Sequence, residues 1–204
     1  MIKYNGMKAE VRTGAVKQLP AGPYVAKVLS VQIEGREPDQ RLAVYLDIAE
    51  GEYKDFWMKK YRAQKDRETA DRKVTYKGIL RIRIPNPDNK NAMYPEKDIA
   101  NFNDMIGRFQ ASNPGFEWDG EETKLAGLLI GISVQEDSYN GYPFTKPVRF
   151  EIVDDVREGK VPVMAPKNRE DEPAPTTAPM MDQRSGMQMV NTEKLPWDQQ
   201  DTPW

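Results

Sequence analysis

Residues 41–48 read Arg-Leu-Ala-Val-Tyr-Leu-Asp-Ile, with an aliphatic side chain at every second position. This period of two is typical of a β-strand with one buried face. The preceding run, 24–33, is rich in valine and also predicts a strand. Glycine, proline and charged residues at 34–39 predict a turn between the two. Because this connection is short, the two strands are expected to pair antiparallel.

The next part of the chain predicts two more strands and a helix. Residues 53–61 contain four aromatic side chains and predict a third strand, and the alternation in 79–84 predicts a fourth. Over 96–112 the period changes to that of a helix, because apolar residues recur every three or four positions. The breakers Asn113-Pro114-Gly115 are expected to end this helix.

The last regular segments complete the predicted fold. Residues 125–136 and 146–153 predict two strands, and Asn140-Gly141 between them is a strong hairpin signal. Short strands with short connections favour an antiparallel sheet, and partial closure hides its edges. We therefore predict a mainly β fold, a small antiparallel OB-like barrel with one α-helix, while the pattern also fits a β-sandwich. Residues 1–160 form this predicted domain.

The periodic pattern ends near Gly159, and residues 161–204 are predicted to form a disordered, proline-rich acidic tail. Repeated prolines with few aliphatic neighbours cannot bury enough apolar surface to offset the entropy lost on ordering. From residue 168 onward, seven acidic and three basic residues give a net charge of −4. Because the whole chain carries −2, residues 1–167 carry +2. Body and tail therefore have opposite charges.

The chain contains neither cysteine nor histidine, which excludes several classes of catalytic site. A thiol nucleophile, the commonest general base and the usual zinc ligands are all missing. Carboxylates could still hold Mg²⁺, but adjacent carboxylates on strands or turns point in different directions. We therefore expect no catalytic residue, no metal and no cofactor. The carboxylates considered for such a site are Glu121, Glu122, Asp137, Asp154 and Asp155.

No signal peptide and no apolar run of membrane-spanning length is visible in the sequence. A soluble intracellular protein with no membrane partner is therefore expected. The sequence leaves the oligomeric state open, and a homo-oligomer is among the alternatives.

Region 54–83 combines positive charge with aromatic side chains. Its eleven basic and four acidic residues give a net charge of +7, and four aromatic residues lie among them. Basic side chains contact the phosphates of single-stranded nucleic acid, and aromatic rings stack on its unpaired bases. A well-solvated loop is an equal alternative. The residues predicted to bind nucleic acid are Lys54, Trp57, Lys59, Lys60, Tyr61, Arg62, Arg72, Lys73, Tyr76, Lys77, Arg81 and Arg83.

Within this set, different residues have different expected roles. The predicted stacking residues are Trp57, Tyr61 and Tyr76, whereas Phe56 fits the core equally well. Because Arg81 and Arg83 lie opposite the aliphatic face of their predicted strand, we expect both guanidinium groups to point toward solvent and ligand.

The C-terminal end repeats a Pro-aromatic pair, at 196–197 and at 203–204. Two of the four tryptophans lie in the last eight positions, which is unusual for a disordered segment. A bulky ring beside an acid can dock in a hydrophobic pocket with a basic rim, and proline limits the entropy lost on binding. The residues predicted to bind a partner protein are Leu195, Pro196, Trp197, Asp201, Pro203 and Trp204.

Five short segments between residues 19 and 153 share their arrangement with a known group of proteins. They are Leu19-Pro20-Ala21-Gly22-Pro23-Tyr24, residues 42–48 followed by Glu50-Gly51-Glu52-Tyr53-Lys54, the helix with Phe102 and Phe109, Leu125-Ala126-Gly127, and Tyr139-Asn140-Gly141-Tyr142. Together they resemble the small phage-encoded single-stranded DNA-binding proteins of the DUF669 type. The resemblance implies an OB-like fold, no catalysis, and a role in phage replication or recombination in the bacterial host cytoplasm.

The C-terminal tip is similar to the acidic Pro-aromatic tip of bacterial single-stranded DNA-binding proteins, which recruits replication and repair enzymes. It differs in being less acidic, in containing Lys194 and in ending with Trp204. The resemblance implies that replication or recombination proteins bind this tip.

The sequence thus predicts a protein that binds single-stranded DNA with little sequence specificity and recruits partners through its tail. Because body and tail have opposite charges, the tail is expected to lie over the basic region when DNA is absent. The alternative is a non-enzymatic interaction or inhibitor protein that acts through its tail and does not bind DNA. A carboxylate-dependent nuclease is the third and weakest hypothesis.

Overall fold

A five-stranded antiparallel sheet forms the centre of the protein. The structure is a computed structural model that describes residues 18–69, 73–86, 94–139 and 142–167. The side chains of Tyr139 and Tyr142 are not among the described parts. In chain order the elements are β1 (Gly22–Glu34), β2 (Arg41–Ile48), α1 (Phe56–Lys65), β3 (Ile79–Arg83), α2 (Pro95–Ser112), a 3₁₀ helix (Glu122–Leu125), β4 (Leu129–Tyr139), β5 (Tyr142–Glu151) and α3 (Val153–Arg157). The strands lie in the order β3-β2-β1-β4-β5. This sheet is not closed into a barrel and is compatible with an open OB-like sheet. The predicted mainly β, antiparallel fold is confirmed.

Strand β2 lies between β1 and β3 and is buried on both faces. All of its residues from Leu42 to Ile48 are buried, although the alternation predicted one exposed face. The face that carries Tyr45 is covered, and the Tyr45 and Tyr76 ring centroids are 6.2 Å apart. Sequence alternation missed this cover because it comes from residues about 30 positions away.

The prediction of a third strand over 53–61 is wrong, because this region contains helix α1. Trp57 and Tyr61 are four residues apart on the same helix face, and both are buried. Aromatic residues are common in strands, but spacings of three and four residues are those of a helix. Composition therefore misled the assignment here, whereas the spacing of Tyr53, Phe56, Trp57 and Tyr61 contained the correct signal.

Helix α2 and the C-terminal hairpin follow the predictions closely. Met105, Ile106 and Phe109 of α2 are buried against the sheet, while Ile99, which shares the apolar spacing of this helix, is exposed. Strands β4 and β5 pair up to Tyr139 opposite Tyr142, which leaves two residues for the turn. The predicted hairpin is therefore confirmed, although Asn140-Gly141 itself lies outside the described residues.

The start of the predicted tail is in contact with the sheet. The Lys167 N–H donates to the Glu136 carbonyl at 2.9 Å, and the Gln135 amide donates to the Ala165 carbonyl at 2.7 Å. The described chain thus continues along β4 seven residues beyond the predicted boundary at residue 160. Residues 168–204, with the whole predicted partner-binding tip, lie outside the described residues.

None of the helices in the described ranges has the length and apolar character needed to span a bilayer.

Candidate nucleic-acid interface

An open groove of about 1290 Å³ lies beside α1, between β3 and the beginning of β5. Helix α1 forms one wall with residues 68, 69 and 73–77, and residues 143–146 of β5 form the other together with Gln18 and Leu19. Among the described residues, six basic and two acidic side chains line the groove, which gives a net charge of +4. The basic residues are Lys60, Lys65, Lys73, Lys77, Arg81 and Lys146, and the acidic residues are Glu34 and Glu68. The groove thus brings the basic region together with part of the C-terminal hairpin.

Helix α1 is fixed to the sheet by Asp47 of β2. The buried Asp47 carboxylate accepts hydrogen bonds from the backbone N–H groups of Trp57 and Met58, both at 3.0 Å, and from Ile48 at 2.9 Å. It thereby caps the N-terminal turn of α1 from a neighbouring strand, where free N–H groups favour an anion. Burial raises the pKa of the Asp47 carboxyl, and the three N–H donors oppose this shift. Sequence reasoning missed this cap, because Asp47 lies ten residues before Trp57.

The three predicted stacking residues form the floor of the groove and belong to the core. Trp57, Tyr61 and Tyr76 line the groove but are only 3%, 7% and 5% exposed. The Tyr76 hydroxyl donates to the Leu46 carbonyl at 2.8 Å, and burial raises the pKa of this hydroxyl. Because little of each ring is accessible, these residues offer little area for stacking on a base without a change in packing.

Two other aromatic residues, Phe56 and Phe144, are half-buried and lie on opposite walls of the groove. The Lys60 ammonium is 5.6 Å from the Phe56 ring centroid, and the Lys146 ammonium is 5.8 Å from that of Phe144. Each wall therefore pairs a ring with a cation, the combination that single-stranded nucleic acid requires. Sequence reasoning left Phe56 undecided and missed Phe144, which lies two residues before the strand predicted over 146–153 but belongs to β5 in the structure.

The groove cations differ in whether a carboxylate already neutralises them. Ion pairs hold Lys65 to Glu68, Lys146 to Asp137 and Arg81 to Glu34, each with its closest approach at 2.6 Å. The other three cations of the groove, Lys60, Lys73 and Lys77, have no carboxylate within 4 Å in the part of the chain that the structure describes. These three lysines are the ones most available to an anionic ligand.

Several predicted residues lie outside the groove lining. They are Lys54, Lys59, Arg62 and Arg83. Arg83 is 3.6 Å from the Asp39 carboxylate and 3.8 Å from that of Asp98, so its charge is partly neutralised away from the groove. Arg72 lies outside the described residues. Of the predicted nucleic-acid-binding residues, the groove brings together the other seven: Trp57, Lys60, Tyr61, Lys73, Tyr76, Lys77 and Arg81.

Two buried carboxylates of the sheet, Glu151 and Asp137, are paired with basic groups. Glu151 accepts hydrogen bonds from the Ser133 hydroxyl and the Arg149 guanidinium, both at 2.6 Å, and from Arg108 at 2.9 Å. Asp137 accepts from Lys146 and from the Ser138 N–H. Within the described ranges, no group of three or more carboxylates is arranged to hold a metal ion.

The sequence matches no model of a known protein family and shows no significant similarity to a curated protein. The resemblance to the phage single-stranded DNA-binding proteins therefore stays a prediction from the sequence.

Proposed function

We propose that the protein binds single-stranded DNA with little sequence specificity and that the strand lies in the groove. One observation carries this proposal: the groove lining combines two half-buried rings, each beside a lysine, with three lysines that have no carboxylate within 4 Å among the described residues. The lysines suit phosphates, because they are compact charges on flexible stems. The rings suit unpaired bases, because every base has a face on which to stack.

The size and shape of the groove also favour a polymer over a small molecule. Its volume of about 1290 Å³ exceeds the roughly 300–1,000 Å³ that is usual for small-molecule pockets. The groove is also partly open to solvent, so a longer ligand need not be enclosed in it. Stacking and phosphate contacts do not depend on base identity, which supports low sequence specificity.

A role in phage replication or recombination, with recruitment of partner proteins by the C-terminal tip, completes the proposal. It is supported by the sequence resemblance and by the Pro-Trp pairs of the tip. No catalytic step is proposed, because the sequence supplies neither a cysteine thiol nor a histidine base.

The test measures binding of a fluorescent dT oligonucleotide at several salt concentrations. Replacing Lys60, Lys73 and Lys77 together with glutamine should weaken binding and reduce the steepness of the salt dependence. Each phosphate contact contributes about 0.7 to the slope of log affinity against log salt for a single strand. Loss of three contacts should therefore reduce the slope by about 2. Replacing Phe56 and Phe144 with leucine should weaken binding by about 1–3 kcal/mol per stacked base and leave the slope unchanged.

The matched control replaces three exposed lysines outside the groove, Lys27, Lys97 and Lys167, with glutamine. This variant has the same net charge as the groove variant, so a general effect of charge would appear in both. Equal loss in the two variants would refute the groove as the site. No binding by the wild-type protein at low salt would refute DNA binding and favour the interaction or inhibitor protein that acts through its tail.

A further inference from the structure

The groove's arginine is held by a carboxylate. The Arg81 Nε donates to one oxygen of Glu34 at 2.6 Å, and Nη2 donates to the other at 3.1 Å. This two-point geometry is also the one in which a guanidinium binds phosphate. Arg81 is the one arginine among the described residues that line the groove. The side chain best suited to a phosphate is thus already engaged by an anion of the protein itself.

The sheet places this pair across three strands. Arg81 of β3 lies opposite Ala43 of β2, and Ala43 lies opposite Gln32 of β1. Glu34 is two residues beyond Gln32, so it points from the same face of the sheet. Because Ala43 is small, the guanidinium can cross β2 to reach the Glu34 carboxylate. The pair therefore spans the groove side of the sheet.

The fold depends less on the Glu34 carboxylate than on the Glu68 carboxylate, the other acidic group of the groove. Glu68 accepts a hydrogen bond from the Val74 N–H at 3.1 Å as well as pairing with Lys65, so it holds the backbone of the groove wall. Within the described part of the chain, the Glu34 carboxylate accepts hydrogen bonds from Arg81 alone. Both side chains of the pair are partly exposed, 42% for Arg81 and 34% for Glu34. Such pairs contribute little to stability, so a ligand can exchange for one partner at small cost.

We propose that Glu34 limits the affinity of the groove for polyanions because its carboxylate is paired with the Arg81 guanidinium. A bound DNA strand must displace this carboxylate to contact the guanidinium. This inference rests on the proposed function. A DNA strand that the lysines already bind presents its next phosphate to Arg81 at high local concentration. This phosphate therefore competes well with the Glu34 carboxylate for the guanidinium. An isolated anion has no such advantage. Glu34 is therefore a specificity-determining residue that favours a polyanionic chain over single anions.

The experiment is a double-mutant cycle on binding of the fluorescent dT oligonucleotide, with wild type, E34Q, R81Q and E34Q/R81Q. Glutamine is nearly isosteric with Glu34, and at position 81 it removes the charge but is shorter than the arginine. E34Q should bind about threefold tighter or more at low salt, the effect of removing a unit charge roughly 6 Å from a phosphate in water. For E34Q, the slope of log affinity against log salt concentration should steepen by about 0.7, the value expected for one further phosphate contact. R81Q should weaken binding less in the wild-type background than in the E34Q background.

Two controls separate this mechanism from a general effect of charge. E117Q removes an exposed carboxylate outside the groove and should leave the affinity almost unchanged. E68Q removes the other groove carboxylate, and its thermal unfolding should shift to lower temperature, unlike that of E34Q.

The outcomes distinguish the two proposals. If wild type does not bind the oligonucleotide, the proposed function fails and this inference fails with it. If wild type binds but E34Q binds equally or more weakly, only the inference fails, because Glu34 then orients Arg81 instead of masking it. An equal gain from E34Q with and without Arg81 would also overturn the inference, since the gain would then come from charge alone.

Discussion

Replacing Gly78 with alanine should destabilise the protein severely, although it adds a single methyl group. A Cβ at this position would lie 2.3 Å from the Leu46 carbonyl oxygen and 2.8 Å from the Trp57 ring. Contacts this short require one of the partners to move. The ring is buried in the floor of the groove, and the carbonyl belongs to the central strand β2, so neither can rotate away as a flexible side chain would.

The expected loss in the free energy of unfolding follows from the hydrogen bonds that such a movement would break. The Leu46 N–H donates to the Gly78 carbonyl at 2.7 Å, and the Leu46 carbonyl accepts from the Tyr76 hydroxyl at 2.8 Å. Overpacking of a core costs about 1–3 kcal/mol, and each lost hydrogen bond adds about 1 kcal/mol. We therefore expect G78A to lower the free energy of unfolding by about 3–5 kcal/mol, a large part of the roughly 5–15 kcal/mol that is typical of a domain.

Urea unfolding followed by tryptophan fluorescence would measure this change, because Trp57 reports directly on the site. The control is G107A in α2, where no atom lies within 4 Å of the added methyl group. Alanine is favoured over glycine in a helix by about 1 kcal/mol, so G107A should raise the free energy of unfolding. An unfolding free energy of G78A within 1 kcal/mol of wild type would refute the packing argument around Trp57.

Three further predictions concern Asp47 and the tail. D47A should lower the free energy of unfolding by about 2–4 kcal/mol in the same assay, because it leaves the first N–H groups of α1 without an acceptor. Since burial raises the pKa of Asp47 above its ordinary value of 3.8, the folded state binds a proton there more tightly. The stability advantage of wild type over D47N should therefore fall as the pH rises from 3.8 through the raised pKa, and a constant difference would contradict this assignment. Deletion of residues 168–204, with their charge of −4, should raise affinity for dT at low salt, and unchanged affinity would rule out competition between tail and DNA.

Much of the fold was predictable because its signals are local. The alternation at 41–48, the helical period of α2 and the Asn140-Gly141 turn each depend on neighbours within a few residues. Strand β2, helix α2 and the pairing of β4 with β5 were found, with boundary errors of a few residues. The strand predicted over 53–61 failed where composition and spacing disagreed. The helix start there is fixed by Asp47, which a local pattern does not include.

The candidate site was predictable in its chemistry and less so in its geometry. By itself, the sequence determined that positive charge and aromatic rings are concentrated in 54–83 and that the tail has the opposite charge. Only the tertiary structure decided that Trp57 is buried, that Phe144 joins the groove, and that Arg81 is paired with a carboxylate 47 residues away. The reason is physical: a residue's type sets which interactions it can make, whereas its partners in space set which of them remain open to a ligand.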